Sequence, residues 1–74
     1  MKKLSEMNVG EKGIVKHISP SIRPVVSAMG LRLNETISIA SIQPMGGPFV
    51  VSAKNANISI ARAHAKNIDV EVIC

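Results

Sequence analysis

Apolar residues recur along this chain in short alternating runs, each bounded by turn residues. Leu4, Met7 and Val9 form an apolar lead-in, and Asn8 to Gly13 carries turn chemistry. Ile14 to Ile18 is the first clear strand, and Pro20 stops it. From Ser21 to Gly30 the period changes. Ile22, Val25, Val26 and Met29 fall at i, i+3, i+4 and i+7, which is one stripe of a helix. Ser21 is the expected N-cap, Pro24 sits in the first turn, and Gly30 is the expected left-handed stop. Thr36 to Gln43 reads as a strand whose phase shifts at Ile42, the mark of a bulge or a strand end. Pro44-Met45-Gly46-Gly47-Pro48 is a loop. Phe49 to Lys54 and Asn57 to Ala61 flank a tight hairpin turn at Asn55-Ala56. Asn34 and Asn55 are the residues expected at positive φ. Arg62 to Asn67 has room for one helical turn. Ile68, Val70 and Val72 then alternate with Asp69 and Glu71 in a half-buried closing strand. The pattern predicts an all-β fold over residues 1–74: a small closed or nearly closed β-barrel of about five strands with one short helix.

Composition supports this reading. Ten isoleucines and eight valines dominate the apolar set, and such β-branched side chains favour strands. Phe49 is the sole aromatic residue. At 74 residues the core yields a few kcal/mol of net stability at most, and one cysteine, Cys74, permits no intrachain disulfide. Aliphatic packing must hold the fold, and a homo-oligomer is one way to add to it. The lone cysteine and the polar start after Met1-Lys2-Lys3 indicate a cytoplasmic protein with no signal peptide. No run approaches the roughly 18 apolar residues of a membrane span, so direct membrane insertion is not expected.

The formal charge is +4, and residues 1–34 hold the excess, with six Lys/Arg against two Glu. Such a half can meet an acidic protein surface or nucleic acid, or simply keep the chain soluble. Barrels that bind single strands use aromatic stacking platforms, and this chain has neither Tyr nor Trp. Nucleic acid is therefore the second choice of partner.

Candidate chemistry is sparse. No serine or cysteine stands in a nucleophile motif with His17 or His64, and Gly46-Gly47 lacks the Lys-Ser/Thr ending of a phosphate loop. A closed zinc site takes four Cys or His ligands, whereas this chain has three in all, none at motif spacing. No catalytic residue, no metal ligand set and no cofactor is expected, so a binding domain is the reading, not an enzyme.

Five landmarks resemble the FeoA family, small proteins that accompany the bacterial ferrous iron transporter FeoB. They are Leu4-x-x-Met7-x-Val9-Gly10-Glu11-x-Gly13-x-Val15, Ala28-Met29-Gly30-Leu31, Pro44-x-Gly46-x-Pro48, Ile58-Ser59-Ile60 with Ala65, and Ile68-x-Val70. They span the chain in order. Val25 and Val26 stand where the family usually has Arg-Leu, and Asn34 and Asn55 where it often has glycine. The resemblance implies a Src-homology-3-like barrel, a cytoplasmic partner-binding role and FeoB as the partner. Iron-dependent repressors also carry such a domain, so an isolated regulatory domain is an alternative. For a partner surface, Leu31 and Arg32 beyond the Gly30 turn, and Met45 in its proline-bounded loop, are the candidates. The alternative is that Leu31 closes the core and Met45 is an uninvolved loop tip.

Overall fold

The computed structural model describes residues 1–54 and 56–73. Strands are β1 (Lys2–Lys3), β2 (Lys12–Ile18), β3 (Thr36–Ile42), β4 (Phe49–Ala53), β5 (Ala56–Ile60) and β6 (Ile68–Ile73). A 3₁₀ turn (Leu4–Glu6) follows β1. Helix α1 (Arg23–Ala28) joins β2 to β3, and the single-turn α2 (Arg62–Ala65) joins β5 to β6. All strand pairs are antiparallel, in the order β1-β6-β2-β3-β4-β5. One sheet curls around one core, with β1 and β5 as its edges.

Alternation sets which side chains enter that core. Val15 and Ile18 come from β2, Ile37 and Ile39 from β3, Phe49 and Val51 from β4, Ile58 and Ile60 from β5, and Ile68 and Val70 from β6. Two bulges bend the sheet. One extra residue, Ala40, lies between the Ile39–Val51 and Ser41–Val50 pairs. It moves Ile42 out of phase, so the phase shift in the sequence is a bulge and not the end of the strand. A second extra residue, Lys16, lies between the Val15–Val70 and His17–Asp69 pairs. It turns His17 outward and returns Ile18 to the core. Such bulges add the local bend a small curled sheet needs.

The helix is shorter than its apolar stripe suggested. It begins at Arg23 with Ile22 as N-cap, and Pro24 occupies the first turn, where a missing N–H breaks no helical bond. Ser21 does not cap it; its hydroxyl lies 3.2 Å from that of Ser19. Ile22 and Val26 are buried, while Val25 and Met29 are exposed, because a helix of two turns against one sheet buries a narrow stripe.

Its C-terminus is a complete Schellman motif. Gly30 has φ 102°, its N–H donates to Ser27 O at 3.0 Å, and the Leu31 N–H donates to Val26 O at 3.0 Å. This geometry corrects one expectation. Leu31 is 0% exposed, not a rim residue. The residue two past the C-cap in this motif folds back toward the last apolar turn, here Val26, itself fully buried.

Asn34 takes φ 67°, as expected. In the β4–β5 hairpin, Ala53 pairs with Ala56 across a two-residue turn, and Lys54 has φ 54°. The expectation placed on Asn55 lies outside the described residues, as does Cys74. Strand β1 was not foreseen. Two lysines show no alternation, and the pairing of Lys2 with Val70 and Lys3 with Asp69 is set by the backbone and a Lys3–Asp69 ion pair of 2.7 Å.

Two carboxylates tie the N-terminal segment down. Glu11 accepts from the Asn8 N–H at 2.7 Å and pairs with Lys2 at 3.2 Å. The Asn8 N–H, then Lys2, hold its carboxyl below the ordinary range. A hydrogen bond from Lys3 does the same for Asp69, against the opposing effect of desolvation, with His17 adding a little. Lowered folded values mean that the unfolded chain takes up these protons first as pH falls. The stabilisation is therefore complete above the ordinary carboxylate range, above about pH 5, and is lost as pH falls through the lowered folded values. Glu11→Gln with Asp69→Asn should flatten the fall of melting temperature between about pH 5 and pH 3. Circular dichroism melts of both proteins check it, and parallel curves would refute it.

Candidate partner surface

Helix α1 and the segment after it present a group of exposed apolar side chains near a charged residue. Val25 and Met29 lie four residues apart, hence on one face of α1. Leu33 follows beyond the Gly30 turn. All three are exposed by more than a third, while their neighbours Ile22, Val26 and Leu31 fill the core. Arg32 is exposed between Leu31 and Leu33, and its N–H donates to Glu35 Oε1 at 3.2 Å. At the other end of the helix the Arg23 guanidinium reaches Ile18 O at 3.4 Å, tying the start of α1 to β2. Isolated exposed aliphatics are ordinary on proteins; three on one short segment that also carries Arg23 and Arg32 make a surface suited to an apolar contact with a polar rim.

Met45 lies elsewhere. It sits at the tip of the turn Pro44-Met45-Gly46-Gly47, where Gly47 N–H donates to Pro44 O at 3.2 Å. Met45 and Gly46 both have positive φ, at 59° and 76°. The Met45 side chain is fully exposed. A left-handed methionine with no packing carries strain of order 1 kcal/mol or more. The loop is braced, because Gln43 N–H donates to Pro48 O at 3.0 Å and Arg62 donates to Gln43 O at 3.4 Å. Arg32 precedes β3 and Met45 follows it, so the strand separates them by roughly 20 Å of extended chain. The structure does not bring Leu31, Arg32 and Met45 into one cluster. Val25, Met29 and Leu33 are the surface residues that the helical stripe had assigned to the core or passed over.

Chemistry elsewhere is limited. His17 Nδ1 stands 3.4 Å from Asp69 Oδ2 on an exposed strand face, and Asp69 is also held by Lys3. Among the described residues no hydroxyl or thiol hydrogen-bonds to either imidazole. No group of three His, Cys, Asp or Glu gathers to hold a metal ion among those residues. No described helix is long and apolar enough to cross a membrane.

Comparison with known proteins agrees with this architecture. The FeoA domain profile matches residues 2–72. A crystal structure of an iron uptake regulatory protein, FeoA, superposes with TM-score 0.84 at 34% identity, covering 96% of this chain and 94% of that one. Two more distant structures share the fold. A Stenotrophomonas maltophilia FeoA, solved with zinc and described as a prokaryotic SH3 domain protein, gives TM-score 0.76 at 18% identity, over 96% of this chain and 91% of that one. A manganese-dependent transcriptional repressor gives TM-score 0.87 at 20% identity, over 97% of this chain but 41% of the repressor. A search of curated proteins found no match. The curled six-stranded sheet is thus an SH3-like small barrel left open between β1 and β5, and the chain belongs to the FeoA family.

Proposed function

We propose that this protein is a non-enzymatic accessory of ferrous iron uptake that acts in the cytoplasm by binding the cytoplasmic part of a FeoB-type transporter. Family membership supports the iron-transport role. The observation that carries a binding role is the exposed apolar set Val25, Met29 and Leu33 beside Arg32. Apolar anchors with an adjacent arginine are frequent centres of binding energy. Met45 is a second, separate contact point: Met adapts to irregular apolar partners, and the braced loop lowers the ordering cost of docking.

Titration calorimetry against the cytoplasmic fragment of the transporter tests this. Val25→Ser with Leu33→Ser should weaken binding by about tenfold or more, at a loss of roughly 1.4 kcal/mol, with little change in melting temperature. Met45→Ser measures the second point on its own. Unchanged binding by the double variant would discard the α1 surface. No binding by the wild-type chain would discard the partnership.

A further inference from the structure

The two edges of the sheet are protected very differently. Edge strands expose unpaired backbone groups, and proteins usually blunt them with charge, proline, bulges or brevity. Strand β1 has two residues, both lysine. Strand β5 has five residues, Ala56-Asn57-Ile58-Ser59-Ile60, without a charge or a proline. Its register with β4 is continuous, so no bulge twists it away.

The hairpin geometry identifies which backbone groups point outward. Ala53 and Ala56 close a two-residue turn and so form a hydrogen-bonded pair. Pairs alternate from there. Ile58 and Ile60 therefore bond to Val51 and Phe49, while Asn57 and Ser59 turn their N–H and C=O groups away from β4. Among the described residues nothing accepts from or donates to these four groups. The Asn57 and Ser59 side chains are exposed as well.

Charge around the edge selects an occupant. Between Glu35 and Asp69 the sequence holds no acidic residue at all, and it holds Lys54, Arg62 and Lys66. Lys54 stands just before β5, with an exposed side chain whose one ion pair, to Glu35, is long at 3.6 Å. Arg62 stands just after β5. Self-pairing that sets Asn57 opposite Ser59 of a second copy would set Lys54 opposite Arg62 of that copy, a like-charge contact at both ends. Alongside, the end of α1 meets β5: a Cβ placed on Gly30 would lie 3.9 Å from Ile58 Cδ1. The C-terminal end of α1 thus lies beside β5.

We propose that β5 is a strand-addition site for an extended segment of a partner protein, uncharged at its centre and acidic beyond each end. This rests on the binding role proposed above and specifies its mode. The segment adds a seventh strand through the Asn57 and Ser59 backbone groups. Its flanking carboxylates meet Lys54 and Arg62, and its alternate side chains face the α1 rim.

Amide hydrogen exchange by NMR tests this on the intact chain. The probe is a peptide of alternating threonine and valine with an aspartate at each end, long enough to span Lys54 to Arg62. In dilute free protein the Asn57 and Ser59 amides should exchange fast, and those of Ile58 and Ile60 slowly. The peptide should slow exchange at Asn57 and Ser59, and its lysine-ended counterpart should bind roughly fivefold more weakly. Ser59→Pro removes one outward donor without breaking a β4–β5 bond, and should abolish the effect while the melting temperature holds. Asn57 and Ser59 amides that stay fast with peptide bound, or that are already protected in dilute protein, would overturn the proposal. So would protection that grows with protein concentration alone, which would mean self-pairing. The transporter fragment is run in parallel. If it binds while these two amides stay fast, the edge proposal fails and the partnership stands. If the peptide protects them but the fragment does not bind, the partnership fails and the edge stands.

Discussion

Phe49→Ala should leave this protein unfolded, or nearly so, at physiological temperature. Phe49 is 1% exposed and opens β4, paired with Ile42 on β3 and Ile60 on β5. Truncating a buried phenylalanine costs about 3–5 kcal/mol, from lost transfer energy and from the cavity left behind. A 74-residue domain has only about 3–5 kcal/mol of net stability to lose. The chain has no disulfide to make up the difference. A further loss follows from Arg62, whose guanidinium carbon lies 4.9 Å from the ring centroid and whose Nε is buried without a partner. Removing the ring leaves that cation above a void. Phe49→Leu keeps most of the volume and should cost less than half as much, while Arg62→Leu removes the cation–π contact, about 0.5–2 kcal/mol, together with the hydrogen bond to Gln43 O. The chain lacks Trp and Tyr, so urea unfolding is followed by circular dichroism. A Phe49→Ala loss below about 1.5 kcal/mol would show that the site collapses onto the gap, and that the core does not depend on this ring.

Much of this fold was legible from side-chain pattern, because period-2 alternation of β-branched residues has one interpretation on a half-buried sheet. The phase slip at Ile42 marked a bulge or a strand end, which the structure places as a bulge at Ala40, and Gly30 and Asn34 marked two left-handed positions. What escaped has physical reasons. Strand β1 is two lysines held by backbone pairing, which leaves no apolar trace. The Lys16 bulge inserts one polar residue among others, so the pattern from Val15 to Ile18 does not betray it. Sheet order depends on pairings distant in sequence, above all β6 between β1 and β2. The candidate surface was half legible. A two-turn helix with four apolar residues on one stripe gives no sign of which two stay outside; that is decided by how closely α1 meets the sheet. Leu31 could have been placed correctly from local rules, since Gly30 as the helix stop commits the next residue to fold back over Val26. The open edge at β5 was visible as an absence, a strand sequence with no charge and no proline, but an absence acquires meaning only once the strand is known to be last in the sheet.

Gly13→Ala should be the most damaging of the small substitutions, and for a reason unrelated to backbone freedom. Gly13 lies in β2 between Val72 of β6 and Ile37 of β3, with no positive φ, so any residue could adopt its conformation. The obstacle is space. A Cβ there would lie 2.3 Å from Val70 Cγ1 and 2.9 Å from Glu71 O, both closer than atoms tolerate. Val70 is fully buried and stiff at χ1, so its methyl group has nowhere to swing. Relief requires β2 and β6 to part, which strains a pairing at the middle of the sheet. Overpacking of this kind costs about 1–3 kcal/mol, and each kcal/mol lowers the melting temperature by roughly 4–8 °C in a domain of this size. Gly10→Ala provides the contrast. Gly10 has φ 91° and nothing within 4 Å of the added carbon, so its cost is conformational alone, about 1 kcal/mol. A double-mutant cycle separates the two causes. With Val70→Ala in place, Gly13→Ala should cost distinctly less than in the parent, the remainder reflecting the Glu71 carbonyl, whereas Gly10→Ala should cost the same in both backgrounds. Equal costs for Gly13→Ala in both would mean that the clash is with the β6 backbone and that the Val70 methyl contributes nothing.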